Sequence, residues 1–375
     1  MNHTIDLHQL AGIDTRPHDT LSLYLALDAS REGRLQTLAQ MLKSKEQQMS
    51  GNGSASAWKS LEPDIALLTK YVEELPLGPD RGLALFACSA QGVFSAHTLS
   101  VLVPNLMELG PAPYIRPLAA LAGDHCPTLV VVLDKRRVRF FDSFMGHLVE
   151  RTELELTSEA APLERDGDRG RAGDKRTSRR AEEALNRLFK ETNQKIAEVF
   201  EDKKYKQLMV GGAKGALDAF LGQLPHSLAD RLGGSFNCEA GASISQVSQE
   251  VALAQPAARR VRQERLLATL ADNLGPGGQA ATGLNQVLAA LHAGQVHTLF
   301  VRRGYTAAGG SCASCGRLRH VAGQCPLCSE EMTPVSDVVN LAVARAIESG
   351  ATLEQIEGDS KLDELDEIAA LLRYA

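Results

Sequence analysis

The chain lacks the marks of a membrane or secreted protein. None of its segments approaches the roughly 18 uninterrupted apolar residues that a membrane-spanning helix needs. Its first residues contain neither the basic block nor the apolar block of a signal peptide. Internal repeats are absent as well. We therefore expect a cytoplasmic protein without a membrane partner, built from two or three domains in 375 residues.

Positive charge is not in excess, and cysteine is scarce. The formal net charge of −6 argues against a general coat for nucleic acid, although a local basic patch can still bind phosphate groups. Three of the seven cysteines, Cys88, Cys126 and Cys238, stand alone in apolar or small-residue surroundings. We expect these three to be reduced core residues rather than disulfide partners.

The other four cysteines form two Cys-x-x-Cys pairs, Cys312 with Cys315 and Cys325 with Cys328, separated by nine residues. Four thiolates at this spacing suit a tetrahedral Zn²⁺ ion, and such a site is structural because no coordination position stays open. The alternative is four unrelated free thiols. His320 lies between the pairs, but four sulfurs already complete the shell, so it is not included among the predicted ligands.

The pattern of strands and helices predicts an α/β protein with three domains. Prolines between residues 104 and 117 place one domain change near residue 120, and Pro256 places another. The predicted domains are an N-terminal α/β domain at residues 1–122, an RNase H-like middle domain at 123–256, and a C-terminal α/β sandwich at 257–375 with an inserted zinc ribbon at 309–331.

The middle domain is predicted from its order of elements. A continuous apolar run at residues 128–133 is typical of a buried strand, and further strands are expected at 137–144 and 147–154. A long helix is expected from about residue 176 to 200, before a strand at 207–212. Three antiparallel strands, a helix, a strand and a helix are the order of an RNase H-like layer.

A basic segment precedes the long helix. Residues 165–180 carry seven Lys or Arg against three Asp, and three glycines predict a flexible loop. Such a loop can bind RNA phosphates with release of counterions, and the free N–H groups of the following helix also favour anions. A solvated surface loop is the alternative. The predicted RNA-binding residues are Arg165, Arg169, Arg171, Lys175, Arg176, Arg179 and Arg180.

A Gly-Gly-Gln tripeptide occurs at residues 277–279. It follows Leu274-Gly275-Pro276 and leads directly into an apolar helical pattern. A helix stop, a glycine turn and a new helix explain it, so we interpret it as structural.

Several stretches together carry a resemblance to a known superfamily. They are residues 21–28, the strand–loop–long-helix order across 128–212, the segment 283–301, the four-cysteine insertion after it, and residues 368–374. On these the chain resembles, over almost its whole length, the class-1 peptide chain release factors of archaea and eukaryotes and their paralogue Pelota. It departs from them in two motifs, because residues 165–180 contain no Gly-Gly-Gln and the first domain contains no Asn-Ile-Lys-Ser. It therefore resembles the divergent bacterial homologues of this superfamily, the Balon-like bacterial archaeo-eukaryotic release factor family.

The resemblance implies a ribosome-associated translation factor that is shaped like a tRNA and binds the A site in rescue or hibernation. The first domain would face the decoding centre, the basic loop would contact rRNA phosphates near the peptidyl-transferase centre, and the third domain would contact the stalk base or a translational GTPase. The missing tripeptide argues against peptidyl-tRNA hydrolysis, so we do not expect an enzyme.

Three alternatives remain open. The chain could be a peptidyl-tRNA hydrolase that uses another group in the same loop, although residues 165–180 contain no glutamine. It could be a scaffold or RNA-binding module without a role on the ribosome. It could be an RNase H-type nuclease, with Asp134 and Asp142 on early strands, but these two also fit strand-end and turn aspartates.

Overall fold

The computed structural model describes residues 6–27, 30–51, 55–144, 146–152, 155–157, 171–201, 205–275, 277–358 and 360–374, with the side chains of all except 55–57 and 171–178. The chain divides into two compact units. Unit 1 combines Met1–Gly123 with Arg265–Ala375, and unit 2 is Asp124–Glu264. Among the helices of the described ranges, none is long and apolar enough to cross a membrane.

The first sheet of unit 1 is antiparallel, in the order β3-β2-β1-β4. Successive side chains of β1 point to opposite faces of the sheet, and helices cover both faces. Leu21, Leu23 and Leu25 pack with helices α2 and α4, whereas Tyr24 packs on the opposite face with Leu10 of α1. The elements are α1 Leu7–Ala11, β1 Thr20–Ala26, α2 Arg31–Gly51, α3 Ala55–Ser60, α4 Glu62–Glu74, β2 Gly82–Cys88, β3 Val93–Leu99, β4 Leu106–Gly110 and α5 Arg116–Asp124.

Unit 2 is built on a mixed sheet in the order β10-β9-β5-β6-β7, with β8 paired to β6. Strands β5, β6 and β7 are antiparallel, and β9 and β10 run parallel to β5, which confirms the predicted RNase H-like order. Its elements are β5 Thr128–Leu133, β6 Arg137–Phe144, β7 His147–Glu150, β8 Leu156–Thr157, α6 Arg171–Glu201, β9 Gln207–Gly212, α7 Lys214–Leu221, α8 His226–Ala229, β10 Leu232–Asn237 and α9 Ile244–Asp272.

Helices cover both faces of this sheet. Val131 packs against Phe189 of α6 and Phe220 of α7, while Val130 packs against Val247 of α9 on the other face. A strand that is buried on both faces needs apolar side chains at consecutive positions. This explains the continuous apolar run of β5.

The second sheet of unit 1 has the order β11-β17-β12-β16, with β12 and β16 parallel. Val287 of α10 and Val343 of α11 pack on one face, and Leu270 from the last turns of α9 packs on the other. A three-stranded ribbon in the order β14-β13-β15 lies between β12 and α11. The elements are β11 Ala280–Thr282, α10 Gly283–His292, β12 Val296–Arg302, β13 Gly309–Ser311, β14 Leu318–Arg319, β15 Thr333–Val335, α11 Val338–Glu348, β16 Thr352–Ile356 and β17 Ile368–Leu372.

Two predictions are corrected by the helices. The basic loop was predicted across residues 165–180, but α6 begins at Arg171, so residues 171–180 are helical. The helix-forming Arg, Ala and Lys residues there outweigh a single glycine. Pro256 was interpreted as a break between two segments, but α9 continues through it, and buried Val251 and Ala258 on either side provide packing that offsets the cost of an internal proline.

Candidate metal centre

The four predicted ligands lie together in the ribbon of unit 1. All four sulfur atoms are within 4.8 Å of one another, and the Sγ–Sγ distances are 3.4 Å for Cys312–Cys328, 3.5 Å for Cys315–Cys325 and 3.7 Å for Cys315–Cys328. A Zn–S bond of about 2.3 Å gives tetrahedral sulfur–sulfur edges of about 3.8 Å. A disulfide would need about 2 Å. The cluster therefore fits one metal ion held by four thiolates.

The two Cys-x-x-Cys turns share one backbone pattern. In each, the N–H of the first cysteine donates to the carbonyl five residues on, and its own carbonyl accepts from the N–H four residues on. These bonds are Cys312 N to Arg317 O at 2.9 Å, Gly316 N to Cys312 O at 2.9 Å, Cys325 N to Glu330 O at 2.8 Å and Ser329 N to Cys325 O at 2.9 Å. The residue four positions on has a left-handed backbone, with φ of 70° at Gly316 and 61° at Ser329.

Backbone N–H groups favour the thiolate form of the first cysteine in each turn. The N–H of Cys328, with that of Leu327, lowers the pKa of Cys325 to about 6. The pKa of Cys312 is also lowered, chiefly by the N–H of Cys315. Since the thiolate is the form that ligates metal, these N–H groups favour metal binding by the first cysteine of each turn. Burial and the neighbouring thiols raise the pKa of the second cysteines, Cys315 and Cys328.

Two arginines from outside the ribbon contact the first turn. Arg16, which precedes β1, donates from Nη1 to the Cys312 carbonyl at 3.2 Å and to Ser311 Oγ at 3.3 Å. Arg345 of α11 donates from Nη2 to the Gly316 carbonyl at 3.0 Å. Sequence patterns gave no indication of either residue, because Arg16 and Cys312 are 296 positions apart.

A buried polar network lies at the start of α11, near the ribbon. Asp337 caps α11 through Val339 N at 3.0 Å, and its Oδ2 accepts from Arg116 Nη1 at 2.7 Å and from Tyr114 OH at 3.1 Å. Burial raises the pKa of Tyr114 to about 12. Asn340 accepts from the backbone N–H next to Tyr114, at 3.1 Å. This network fixes residues 113–116 against α11 and borders a cavity of about 440 Å³.

The structure describes the predicted RNA-binding residues only in part. Arg165 and Arg169 lie outside the described residues. Arg171, Lys175 and Arg176 belong to α6, but their side chains are not described. Arg179 and Arg180 are exposed on α6, and Arg179 lies 3.4 Å from Glu183, one helical turn on. RNA binding by the set of seven remains a prediction.

The aspartates of the nuclease alternative already have other roles. Asp134 Oδ1 accepts from the backbone N–H of Arg136 at 2.7 Å and of Arg137 at 2.8 Å, as a turn aspartate does. Asp142 accepts a hydrogen bond from the Tyr205 hydroxyl and pairs with Arg151. Across the described ranges, the four cysteines are the only group of His, Cys, Asp and Glu side chains close enough to hold a metal ion. Both aspartates therefore fit the structural interpretation, as strand-end and turn residues.

The Gly-Gly-Gln tripeptide lies in a turn between α9 and β11. Gly278 N donates to Gly275 O at 3.0 Å, and φ is 126° at Gly275 and 78° at Gly277. A Cβ on Gly278 would lie 2.1 Å from the Asn273 carbonyl oxygen. The glycines are therefore required by the turn itself.

Comparison with known proteins identifies the relatives of the middle part. Residues 113–256 match the family model of Bacterial archaeo-eukaryotic release factor family 10, a stretch that contains the whole sheet of unit 2. Through this stretch the chain is a divergent homologue of the release factor-like proteins, as its resemblance to that superfamily implied. No curated protein matches the chain.

Solved structures of that superfamily are also similar. The archaeal translation termination factor aRF1 is 15% identical, with 98% of this chain and 95% of that one covered and a TM-score of 0.26. Dom34 of S. cerevisiae is 11% identical, with 78% and 79% covered and a TM-score of 0.41. Pelota of Archaeoglobus fulgidus is 15% identical, with 78% and 80% covered and a TM-score of 0.34.

Proposed function

We propose that the protein is a cytoplasmic, ribosome-associated translation factor that binds the A site in rescue or hibernation. The observation that carries the proposal is the match of residues 113–256 to a release factor family. The absence of Gly-Gly-Gln from residues 165–180 favours binding over release of the peptide. Residues 1–122, 123–256 and 257–375 would act as three functional parts, the last of them toward a translational GTPase.

The rRNA contact is proposed at the start of α6. The seven cations at residues 165–180 are available to RNA phosphates only if they have no strong ion pairs within the protein. Arg179 meets this condition, since its side chain is 83% exposed and an exposed pair such as Arg179–Glu183 contributes little. Arg180 is exposed as well. Each phosphate neutralised by such a cation adds about 0.7 to 0.9 to the slope of log affinity against log salt.

The ion proposed for the metal centre is Zn²⁺. Four thiolates at tetrahedral spacing match its preferred ligands, and a closed shell leaves it a structural role. Bound there, it would join the two Cys-x-x-Cys turns of a ribbon whose own small core contains Cys312, Cys325 and Met332.

Ribosome co-sedimentation across a salt series tests the proposal. One variant changes the seven cations of residues 165–180 to alanine. A charge-matched control changes seven exposed cations elsewhere: Arg31, Lys43, Lys59, Lys70, Lys206, Arg319 and Lys361. We expect salt-sensitive binding by the wild type and the control, and a salt slope lower by up to about 5 to 6 in the first variant.

Two results would contradict the proposal. Absence of ribosome binding by the wild type at low salt would remove the ribosomal role and leave a scaffold or RNA-binding module. Equal salt slopes for the two variants would show that residues 165–180 are not the rRNA contact. A peptidyl-tRNA release assay on stalled ribosomes accompanies the co-sedimentation experiment. Clear turnover there would mean that the protein hydrolyses peptidyl-tRNA, and the proposed role in A-site binding alone would be wrong.

A further inference from the structure

The first Cys-x-x-Cys turn is held from both ends by side chains of unit 1. The Cys312 carbonyl accepts two hydrogen bonds, one from Gly316 N within the turn and one from Arg16 Nη1. The Gly316 carbonyl, at the other end of the turn, accepts from Arg345 Nη2. The two guanidinium groups thus contact the two carbonyls that define the turn.

Each guanidinium is itself oriented by a carboxylate. Arg16 Nε donates to both oxygens of Asp14, at 2.8 and 3.0 Å, which leaves Nη1 directed to the ribbon. Arg345 lies 3.7 Å from Glu348 on the same helix. Because both positive charges are paired, their effect on the cluster comes mainly from hydrogen bonding and position rather than from net charge.

Gly316 makes room for one of these contacts. Its φ of 70° is in the left-handed region, and a Cβ there would lie 2.9 Å from Arg345 Nη2. The second turn has Ser329 at the equivalent position and a different environment. Within the part of the chain that the structure describes, no side chain donates to the carbonyls of Cys325 or Ser329. One turn is therefore fixed to the body of unit 1, and the other is joined to it through the ribbon.

We propose that Arg16 and Arg345 are positioning residues of the metal centre, which hold the Cys312–Gly316 turn in its metal-binding shape before the ion arrives. Groups that orient metal ligands without touching the ion contribute about 10- to 100-fold to affinity. A turn that is already ordered loses less conformational entropy on binding. This inference rests on the proposed metal centre and is independent of the ribosomal role.

The test measures metal affinity in the full-length chain. Zn²⁺ dissociation constants are determined by competition with a chromogenic chelator for the wild type, R16A, R345A and the double variant. We expect each single variant to bind about tenfold more weakly, and the double variant more weakly still. R16K should recover part of the loss, because a lysine ammonium can also donate to the Cys312 carbonyl.

Cobalt supplies a readout that a general loss of stability would not change. With Co²⁺ in place of Zn²⁺, the sulfur-to-metal charge-transfer bands report the geometry of the four thiolates, and we expect these bands to shift in R16A and R345A. The matched control is R319A, which removes an exposed cation of the ribbon strand β14. Far-UV circular dichroism of the apo forms checks that each variant folds. If R16A does not fold, the test uses R16K and R345A instead.

Wild-type affinity and spectra in R16A and R345A would overturn the proposal. An equal loss in R319A would also overturn it, because charge alone would then explain the effect. If the wild type bound neither Zn²⁺ nor Co²⁺, the metal centre itself would be refuted, whatever the ribosome assay showed.

Discussion

Replacement of Arg116 or Asp337 will destabilise unit 1 by different amounts. The Arg116 Nη1–Asp337 Oδ2 pair is 2.7 Å long, and only 6% and 12% of the two side chains are exposed. Removal of one partner from a buried pair costs about 3 to 5 kcal/mol, because the other charge remains buried. The magnitude for each variant depends on which hydrogen bonds remain to the group that is left.

Arg116→Met leaves Asp337 with two donors, Tyr114 OH and Val339 N. We therefore expect a cost near the lower limit, about 3 kcal/mol. Asp337→Ala leaves a buried guanidinium whose Nε has no partner among the described residues, and it also removes the cap of α11, which is worth about 1 kcal/mol. We expect about 5 kcal/mol for this variant.

Urea denaturation followed by fluorescence measures these costs in unit 1. Trp58 is the single tryptophan and lies in α3, within unit 1. The double variant should cost less than the sum of the single variants by at least about 2 kcal/mol, because neither charge is then left unpaired. Additive costs, or a cost below about 1 kcal/mol for Asp337→Ala, would refute the buried-pair reasoning.

Three further predictions concern the ribbon and unit 2. Ser329→Gly should stabilise the metal-loaded protein by about 0.5 to 1 kcal/mol, since φ there is 61°, whereas Gly316→Ala should destabilise it; thermal unfolding with saturating Zn²⁺ measures both. Arg139 lowers the pKa of Glu150 below its ordinary 4.5, so the pair stabilises unit 2 above that pH and the contribution is lost as the pH falls through the lowered pKa. Glu150→Gln should therefore be less stable at neutral pH and show a flatter loss in acid, in urea titrations followed by circular dichroism. Gly211→Ala should cost about 1 to 3 kcal/mol, since its Cβ would lie 2.4 Å from a phenylalanine ring.

Each of these has a result that would contradict it. If Ser329→Gly and Gly316→Ala unfolded at the same temperature, the left-handed backbone at these two positions would not determine the stability of the ribbon. If the stability of the wild type and of Glu150→Gln fell in parallel with decreasing pH, the Arg139–Glu150 pair would not contribute to the loss of stability in acid. For the sheet glycine, Gly215→Ala on α7 is the control, since a Cβ there meets nothing within 4 Å; an equal loss in both would contradict the packing argument.

Local signals predicted much of unit 2 and the metal cluster. The strands at residues 128–133, 137–144 and 207–212 have the predicted bounds. For residues 128–133 the signal is a continuous apolar run, which identifies a strand that is buried on both faces. The four cysteines meet because the spacing within and between the pairs is enough to form two adjacent turns. In both cases the information lies within a few residues of the element.

The missed features depend on distant partners. β4 and α5 lie among the prolines that indicated a domain change, and β4 is defined by pairing with β1, as in Thr20 with Gly110. The contact of Arg16 with Cys312, and the continuation of α9 through Pro256, likewise depend on packing between distant segments. Such partners are brought together by the fold, so no local pattern indicates them.

The position of β17 has a consequence for the order of folding during synthesis. β17 lies between β11 and β12, yet the ribosome makes it after every other strand of its sheet. Until residues 368–372 emerge, β11 has no neighbour and β12 keeps an open edge that can pair with other chains. Unit 2 is complete at residue 264 and can fold earlier. A nascent chain stalled before residue 368 would therefore carry a folded unit 2 together with an aggregation-prone, incomplete unit 1.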